Sequence, residues 1–139
     1  MYFLFDTSVL IDYIRSENST SAHAILKACE IGECYISIVS IMELYKPNRP
    51  KKDVEEEVQK IYEMCRVLNI NIVYITQKAQ RRAVNIVKNY YSNLGQNRVP
   101  DALIISMGIE KNAYIVTKDY IWSRIYSQVL SPEDVIRRF

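Results

Sequence analysis

Glycine and proline are scarce in this chain of 139 residues, at three and four. So few turn-formers exclude the many-turned sandwiches and barrels of all-β proteins. Histidine occurs once, as His23, which rules out a multi-histidine metal site and leaves a Ser-His-Asp hydrolase only that residue to use. No serine stands in a nucleophile-elbow context either. The three cysteines, Cys29, Cys34 and Cys65, are odd in number and match no zinc spacing, so they read as reduced thiols of an intracellular protein. No apolar run approaches the roughly 18 residues of a membrane span. The N-terminus lacks the basic flank and the apolar length of a signal peptide, and the expected location is the cytoplasm. An excess of one charge is missing too: 18 Lys and Arg oppose 16 Asp and Glu, a net +2. Any argument for nucleic acid must therefore rest on local clusters.

What is present is an ordinary globular composition, 49% hydrophobic and 24% charged. The length suits one domain over 1–139 that buries about two thirds of its unfolded surface. "YFLF" (2–5) is a continuous apolar run, the pattern of a strand buried on both faces. "TSVLIDYIRS" and "AHAILKACEIG" read as helices, the second stopped by Gly32. "CYISIV" reads as a strand that passes directly into the helical "SIMELY", with Ser40 as expected N-cap and Glu43 completing a capping box. "KPNRPKK" (46–52) breaks that helix and carries four positive charges; "DVEEEVQKIYEMCRVLN" then has apolar residues at helical spacing. The rest reads as strand "INIVYI", a long helix ended by Gly95, and helix "VPDALIISMGIEKN" with Pro100 near its start. Strand "AYIVT", short helix "DYIWSRI", a candidate edge strand "QVL" and a closing helix "SPEDVIRRF" capped by Ser131 follow. Strands alternate with helices, so the expected fold is a three-layer α/β/α arrangement around a mainly parallel sheet of four to five strands.

Ligands of such sheets bind beyond the carboxyl ends of the strands. Asp6 follows the first strand directly, Glu43 lies about one helical turn past the second, and Asp119 comes two residues after the fourth. Asp101 opens the helix that returns toward the fourth strand, so it starts at the same edge. Each acid has a plain structural reading: Asp6 as a helix cap, Asp101 as a first-turn acid, Asp119 as a turn residue, Glu43 as half of a capping box. Together they resist it. Two like charges ~4 Å apart cost about 4 kcal/mol at an effective dielectric of 20. Four of them in one place call for protonation or a cation. Hard oxygen donors without His or Cys suit Mg²⁺ or Mn²⁺, and such ions serve phosphodiester cleavage.

These same stretches resemble the PIN-domain proteins, and most closely the VapC-type toxin ribonucleases. "FDTSVLIDYI" is similar to the family's opening motif with Asp6 as its acid, and "SIVSIMELY" to the second motif with Glu43. "VPDALIISMGIEKNAYIVTKD" is similar to the later motifs that supply Asp101, Thr117 and Asp119. The resemblance covers the whole chain. It implies a Mg²⁺-dependent endoribonuclease and frequent homodimers, with a small VapB-like antitoxin whose C-terminal segment occupies the toxin groove. Asp6 and Asp101 are then the direct metal ligands, while Glu43 and Asp119 complete the shell or orient water. Two departures stand out. "LYKPNRP" follows Glu43 where many relatives have a small residue and glycine, and Ile121 stands where many carry a further acid.

Thr7 and Ser8 are candidates to hydrogen-bond carboxylates or phosphate, and Thr117 to orient Asp119. Lys46, Arg49 and Arg98, near Glu43 and Asp101 in sequence, are the candidate RNA-binding cations. Arg81 and Arg82 read rather as surface charge, and Tyr90 and Tyr91 as core residues with base stacking as the alternative. Two further functions compete: a housekeeping PIN nuclease of RNA processing, and a PIN-like module without catalysis. A receiver-type phosphorylation domain would need an aspartate closing a central third strand, where this chain has Thr76 and Gln77.

Overall fold

The computed structural model describes residues 1–45 and 48–139; Lys46, one of the candidate RNA-binding cations, and Pro47 lie outside the described residues. The apolar run at the N-terminus forms β1 (Tyr2–Phe5), in which Phe3, Leu4 and Phe5 are all fully buried. Burial on both faces demands cover from two layers, and the chain supplies them. After β1 come α1 (Thr7–Arg15), α2 (Thr20–Ile31), β2 (Glu33–Ser37), α3 (Ile38–Glu43) and α4 (Lys51–Leu68). Then follow β3 (Asn71–Val73), α5 (Gln77–Tyr90), α6 (Arg98–Glu110) and β4 (Tyr114–Val116). A 3-10 turn (Tyr120–Arg124), β5 (Val129–Leu130) and α7 (Pro132–Arg138) close the chain.

The five strands pair in the order β3-β2-β1-β4-β5, every pair parallel. Alternation along β1 divides the core. Phe3 and Phe5 face a cluster with Val9, Leu10, Ile25, Val58 and Ile61 of the helices on one side. Leu4 faces Ala79, Ala83 and Ile86 of α5 and Ile104 and Ile105 of α6 on the other. This is the expected three-layer α/β/α fold, with the candidate edge strand in place as β5.

The position of α6 depends on a small residue. A Cβ on Gly108 would stand 2.5 Å from Cδ1 of Ile115, so only a side chain of hydrogen lets the helix approach β4 this closely. The helix α4 ends on Asn69 with φ of 58°, the left-handed cap that asparagine tolerates. The closing helix has the expected cap, a capping box between Ser131 and Asp134 with Pro132 behind it.

Two expectations are corrected. The N-cap of α3 is Ser37, whose hydroxyl accepts the Val39 N–H at 3.0 Å, and not Ser40. The strand stops at Ser37 and the helix begins at once, which puts Ser40 inside it and fully buried, and Glu43 at its last residue with no capping box. The long helix α5 ends at Tyr90 rather than at Gly95, because the chain turns after it to bury Leu94 against the α5–α6 core. The three cysteines are free thiols. Among the described residues no helix is long and apolar enough to cross a membrane.

Candidate active site

The strand order reverses between β1 and β4, because β1 leads toward β2 on one side while β4 and β5 lie on the other. A crevice opens at the carboxyl ends of strands at such a point. Here it is a cleft of about 660 Å³, and its lining includes Asp6, Glu43, Asp101 and Asp119. Thr7, Ser8, Asn97, Lys118, Tyr120 and Trp122 also line it. The structure therefore brings together all four acids read from the sequence.

Asp6 sits at the N-cap of α1, and its backbone N–H donates to the Val116 carbonyl at 2.9 Å, which pins the end of β1 to β4. The residue is only 6% exposed, yet its carboxylate is well supplied with donors. Oδ1 accepts the Thr7 N–H at 2.7 Å; Oδ2 accepts from Ser8 Oγ at 2.9 Å and from Thr117 Oγ1 at 2.8 Å. Burial nevertheless raises its pKa above the ordinary value, against the pull of those hydrogen bonds.

Thr7 performs a second task. Its hydroxyl oxygen lies 2.6 Å from Glu43 Oε1 and 2.8 Å from the buried Ser40 hydroxyl, which joins the start of α1 to α3. Thr117 is the corresponding joint on the other wall. It donates to Asp6 and accepts the Asp119 N–H at 3.0 Å, so one hydroxyl orients both the first acid and the last. Asp119 in turn accepts the Ile121 N–H at 3.1 Å and caps the 3-10 turn. The structural reading of Asp119 and its membership of the cleft are thus both true.

Asp101 stands in the first turn of α6. Every influence on its carboxyl disfavours the charge: burial first, then Asp6, Glu43 and Asp119. Together they push its pKa up from 3.8 to about 7. A carboxyl whose charge is disfavoured by burial and by three acidic neighbours in a cleft is the pattern of a functional-site candidate.

The candidate cations are placed differently. Arg49 donates to Glu57 of α4, at 2.7 Å through Nη1, and lines a smaller hollow of about 220 Å³ that shares Glu43 with the cleft. Arg98 lies 3.8 Å over the Tyr91 ring and donates to the Tyr91 carbonyl at 2.8 Å, tying α6 to the turn before it. Neither lines the cleft itself. Arg82 donates to the Ser106 carbonyl at 3.2 Å, a structural contact. Among the described residues the cation that does line the cleft is Lys118, which is not one of the expected RNA-binding residues; its place between Thr117 and Asp119 was the available signal.

A model of the PIN domain matches residues 3–128 of the sequence, nearly its full length. This chain belongs to the PIN-domain family. No curated protein matches it in sequence. Solved structures show the same fold at low identity. VapBC2 from Rickettsia felis, bound to a DNA fragment from its promoter, is 17% identical with a TM-score of 0.72, over 94% of this chain and 98% of that one. DNA-bound VapBC from Salmonella typhimurium is 15% identical, with a TM-score of 0.71 over 95% and 98%. A toxin–antitoxin complex from Klebsiella pneumoniae is 23% identical, with a TM-score of 0.66 over 93% and 96%.

PIN domains are generally metal-dependent, so the donor set has to be tested against a hard cation. Among the described residues no three His, Cys, Asp or Glu side chains are gathered closely enough to hold an ion by themselves. That excludes a closed protein cage but suits magnesium, which keeps several waters and takes one or two carboxylates plus substrate oxygens. The donors facing the cleft are carboxylates, and Asp101 is the acid most in need of a countercharge. The chemistry of the site fits.

Proposed function

We propose that this chain is a metal-dependent endoribonuclease, the toxin of a toxin–antitoxin pair, acting in the cytoplasm as one PIN domain over 1–139. The observation that carries the reading is the meeting of Asp6, Glu43, Asp101 and Asp119 in one cleft, with the pKa of Asp101 raised to about 7. Asp6 and Asp101 would hold Mg²⁺ or Mn²⁺ directly, while Glu43 and Asp119 would complete the shell or orient water. When bound, the ion supplies an activated water and charge stabilisation at the phosphodiester. The chain's own part is preorganisation. Thr117 and Ser8 fix the rotamer of Asp6, and Thr7 fixes Glu43 against α3.

The toxin reading is supported by the likeness to structures of VapBC complexes, and implies a small VapB-like antitoxin as partner. A homodimer through apolar faces of the early helices is part of the same proposal. Val9, Leu10, Ala24 and Ile25 are spent on the core, and Leu26 with the half-buried Ile11, Tyr13 and Ile14 is the apolar surface those helices keep. Light scattering at micromolar concentration tests the dimer.

The central test is incubation of the purified chain with defined RNAs, with and without Mg²⁺. Metal-dependent cleavage is expected, and its loss in Asp6→Asn and Asp101→Asn with circular dichroism unchanged. A PIN scaffold without catalysis is the second reading, favoured by Ile121 in a position where relatives carry an acid. Absence of cleavage across RNAs and metals would decide for it.

A further inference from the structure

We propose that Lys118 and Tyr120 form a nucleotide subsite on the β4 wall of the cleft. The ammonium holds a backbone phosphate and the phenol ring stacks on the adjoining base. The inference rests on the nuclease reading and deepens it, since four carboxylates in one cleft repel the very substrate they would cut. A polyanion needs a cation there, and Lys118 is the one Lys or Arg among the described residues that line the cleft.

Lys118 is held ready. Its ammonium lies 3.0 Å and 3.2 Å from the two carboxylate oxygens of Asp12 on α1, and Asp12 accepts from Ser21 Oγ at 2.8 Å. This tether restricts the rotamers of a long, flexible side chain that lines the cleft, which lowers the entropy lost on binding. It does not use the group up. An ammonium has three donors, and this side chain stays 52% exposed, so the pair is weak and open to a phosphate.

Tyr120 follows one residue after Asp119, lines the same cleft, and is 75% exposed. No packing in the core accounts for so exposed a ring. Between the two side chains the chain is stiff. Thr117 and Asp119 are anchored by hydrogen bonds, and the 3-10 turn that begins at Tyr120 is set by the fully buried Trp122. A phosphate donor and an aromatic face two residues apart, on a rigid segment beside the acids, are the elements of sequence-tolerant recognition of a single strand.

The test measures anisotropy of a short fluorescein-labelled single-stranded RNA of mixed sequence on the Asp101→Asn chain, which leaves the RNA intact, over a series of salt concentrations with Mg²⁺. Adding Lys118→Met should flatten the slope of log affinity against log salt by about 0.7, the value of one phosphate contact on a single strand. Lys118→Arg should restore it, and Lys78→Met, at an exposed lysine of α5 that does not line the cleft, should not change it. Tyr120→Ala should weaken binding between about five-fold and about a hundred-fold at constant slope, and Tyr120→Phe should bind normally. Melting curves guard against unfolding. If Lys118→Met lowers only the melting temperature and leaves the slope alone, the lysine is merely the partner of Asp12 and the subsite is wrong. If Tyr120→Ala binds as tightly as its parent, the stacking half is wrong. Wild type that cleaves RNA while both variants bind normally sinks the subsite alone. Wild type that neither binds nor cleaves RNA sinks the nuclease reading and the subsite with it.

Discussion

Replacing Asp101 by asparagine should make the metal-free protein more stable, not less. The carboxyl is pushed from 3.8 to about 7 by burial and by its three acidic neighbours. At about 1.4 kcal/mol for each tenfold change in proton affinity, that rise sets an upper bound of about 4 kcal/mol on the cost of holding the charge at high pH. The side chain lines an open cleft, so screening by water leaves about 1–2 kcal/mol of that. Losing a first-turn acid gives back about 0.3–1 kcal/mol of helix-dipole stabilisation. The variant should therefore melt a few degrees higher, roughly 3–5 °C per net kcal/mol for a chain of this size.

The sign with pH follows from linkage. Because the folded-state pKa lies above the unfolded one, the native state binds the proton more tightly. The contribution of Asp101 is fully favourable below pH 3.8 and is lost as pH rises through about 7. The gap between variant and wild type should therefore be widest at pH 8 and close as pH falls toward 4. Mg²⁺ should invert the order. An ion at ~100 times its dissociation constant adds about 2.7 kcal/mol to a protein that binds it, and the variant should lose most of that gain. Calorimetry in EDTA, in Mg²⁺ and in NaCl of matched ionic strength reads all three effects. The reasoning fails if the variant melts lower at pH 8 in EDTA, if the gap ignores pH, and if neither protein responds to the metal.

Other expectations follow from single contacts. Thr117→Val removes the donor to Asp6 and the acceptor of the Asp119 N–H, and should cost about 1–3 kcal/mol in urea melts; cleavage should drop further than in Thr117→Ser, and equal rates in the two would refute the orienting role. Gly108→Ala should destabilise by about 1–3 kcal/mol through the clash with Ile115, and an unchanged midpoint would show that α6 has room to shift. Ser37→Ala should cost about 1 kcal/mol as the loss of a helix cap. Exchange protection at the start of α3 should fall with it; if only Ser40→Ala does this, the cap has been placed wrongly.

The fold was legible where burial leaves a periodic trace. β1 is buried on both faces and reads as an unbroken apolar run, while α4 and α5 bury one stripe and show helical spacing. The boundary after β2 was not legible. Ser37 and Ser40 are both good caps, and only the register of β2 against β1 and β3 decides that the strand ends at the first of them. The end of α5 escaped for a similar reason, because the burial of Leu94 is a tertiary contact that Gly95 outshines in sequence. At the site the acids were legible as a set, since their types and their places at strand ends were enough. The cations were not. Sequence proximity to Glu43 and Asp101 pointed to Arg49 and Arg98, yet Arg49 is turned to Glu57 and Arg98 to Tyr91.

That difference has a physical origin, and it bears on how the site works. The acids enter the cleft from backbone positions that the sheet topology dictates: the ends of β1 and β4, the helix α3 next to β2, and the first turn of α6. A long cationic side chain answers instead to whichever carboxylate or ring lies within reach, and this chain offers several. Arg49 and Arg98 hold α4 and α6 in place. Lys118 lines the cleft and pairs with Asp12 of α1, itself tied to Ser21, while its side chain stays 52% exposed. The place of Asp6 between two apolar runs has the same kind of origin. β1 and α1 must both be buried, and the residue joining them has its carboxylate locked by three donors while it still lines the cleft.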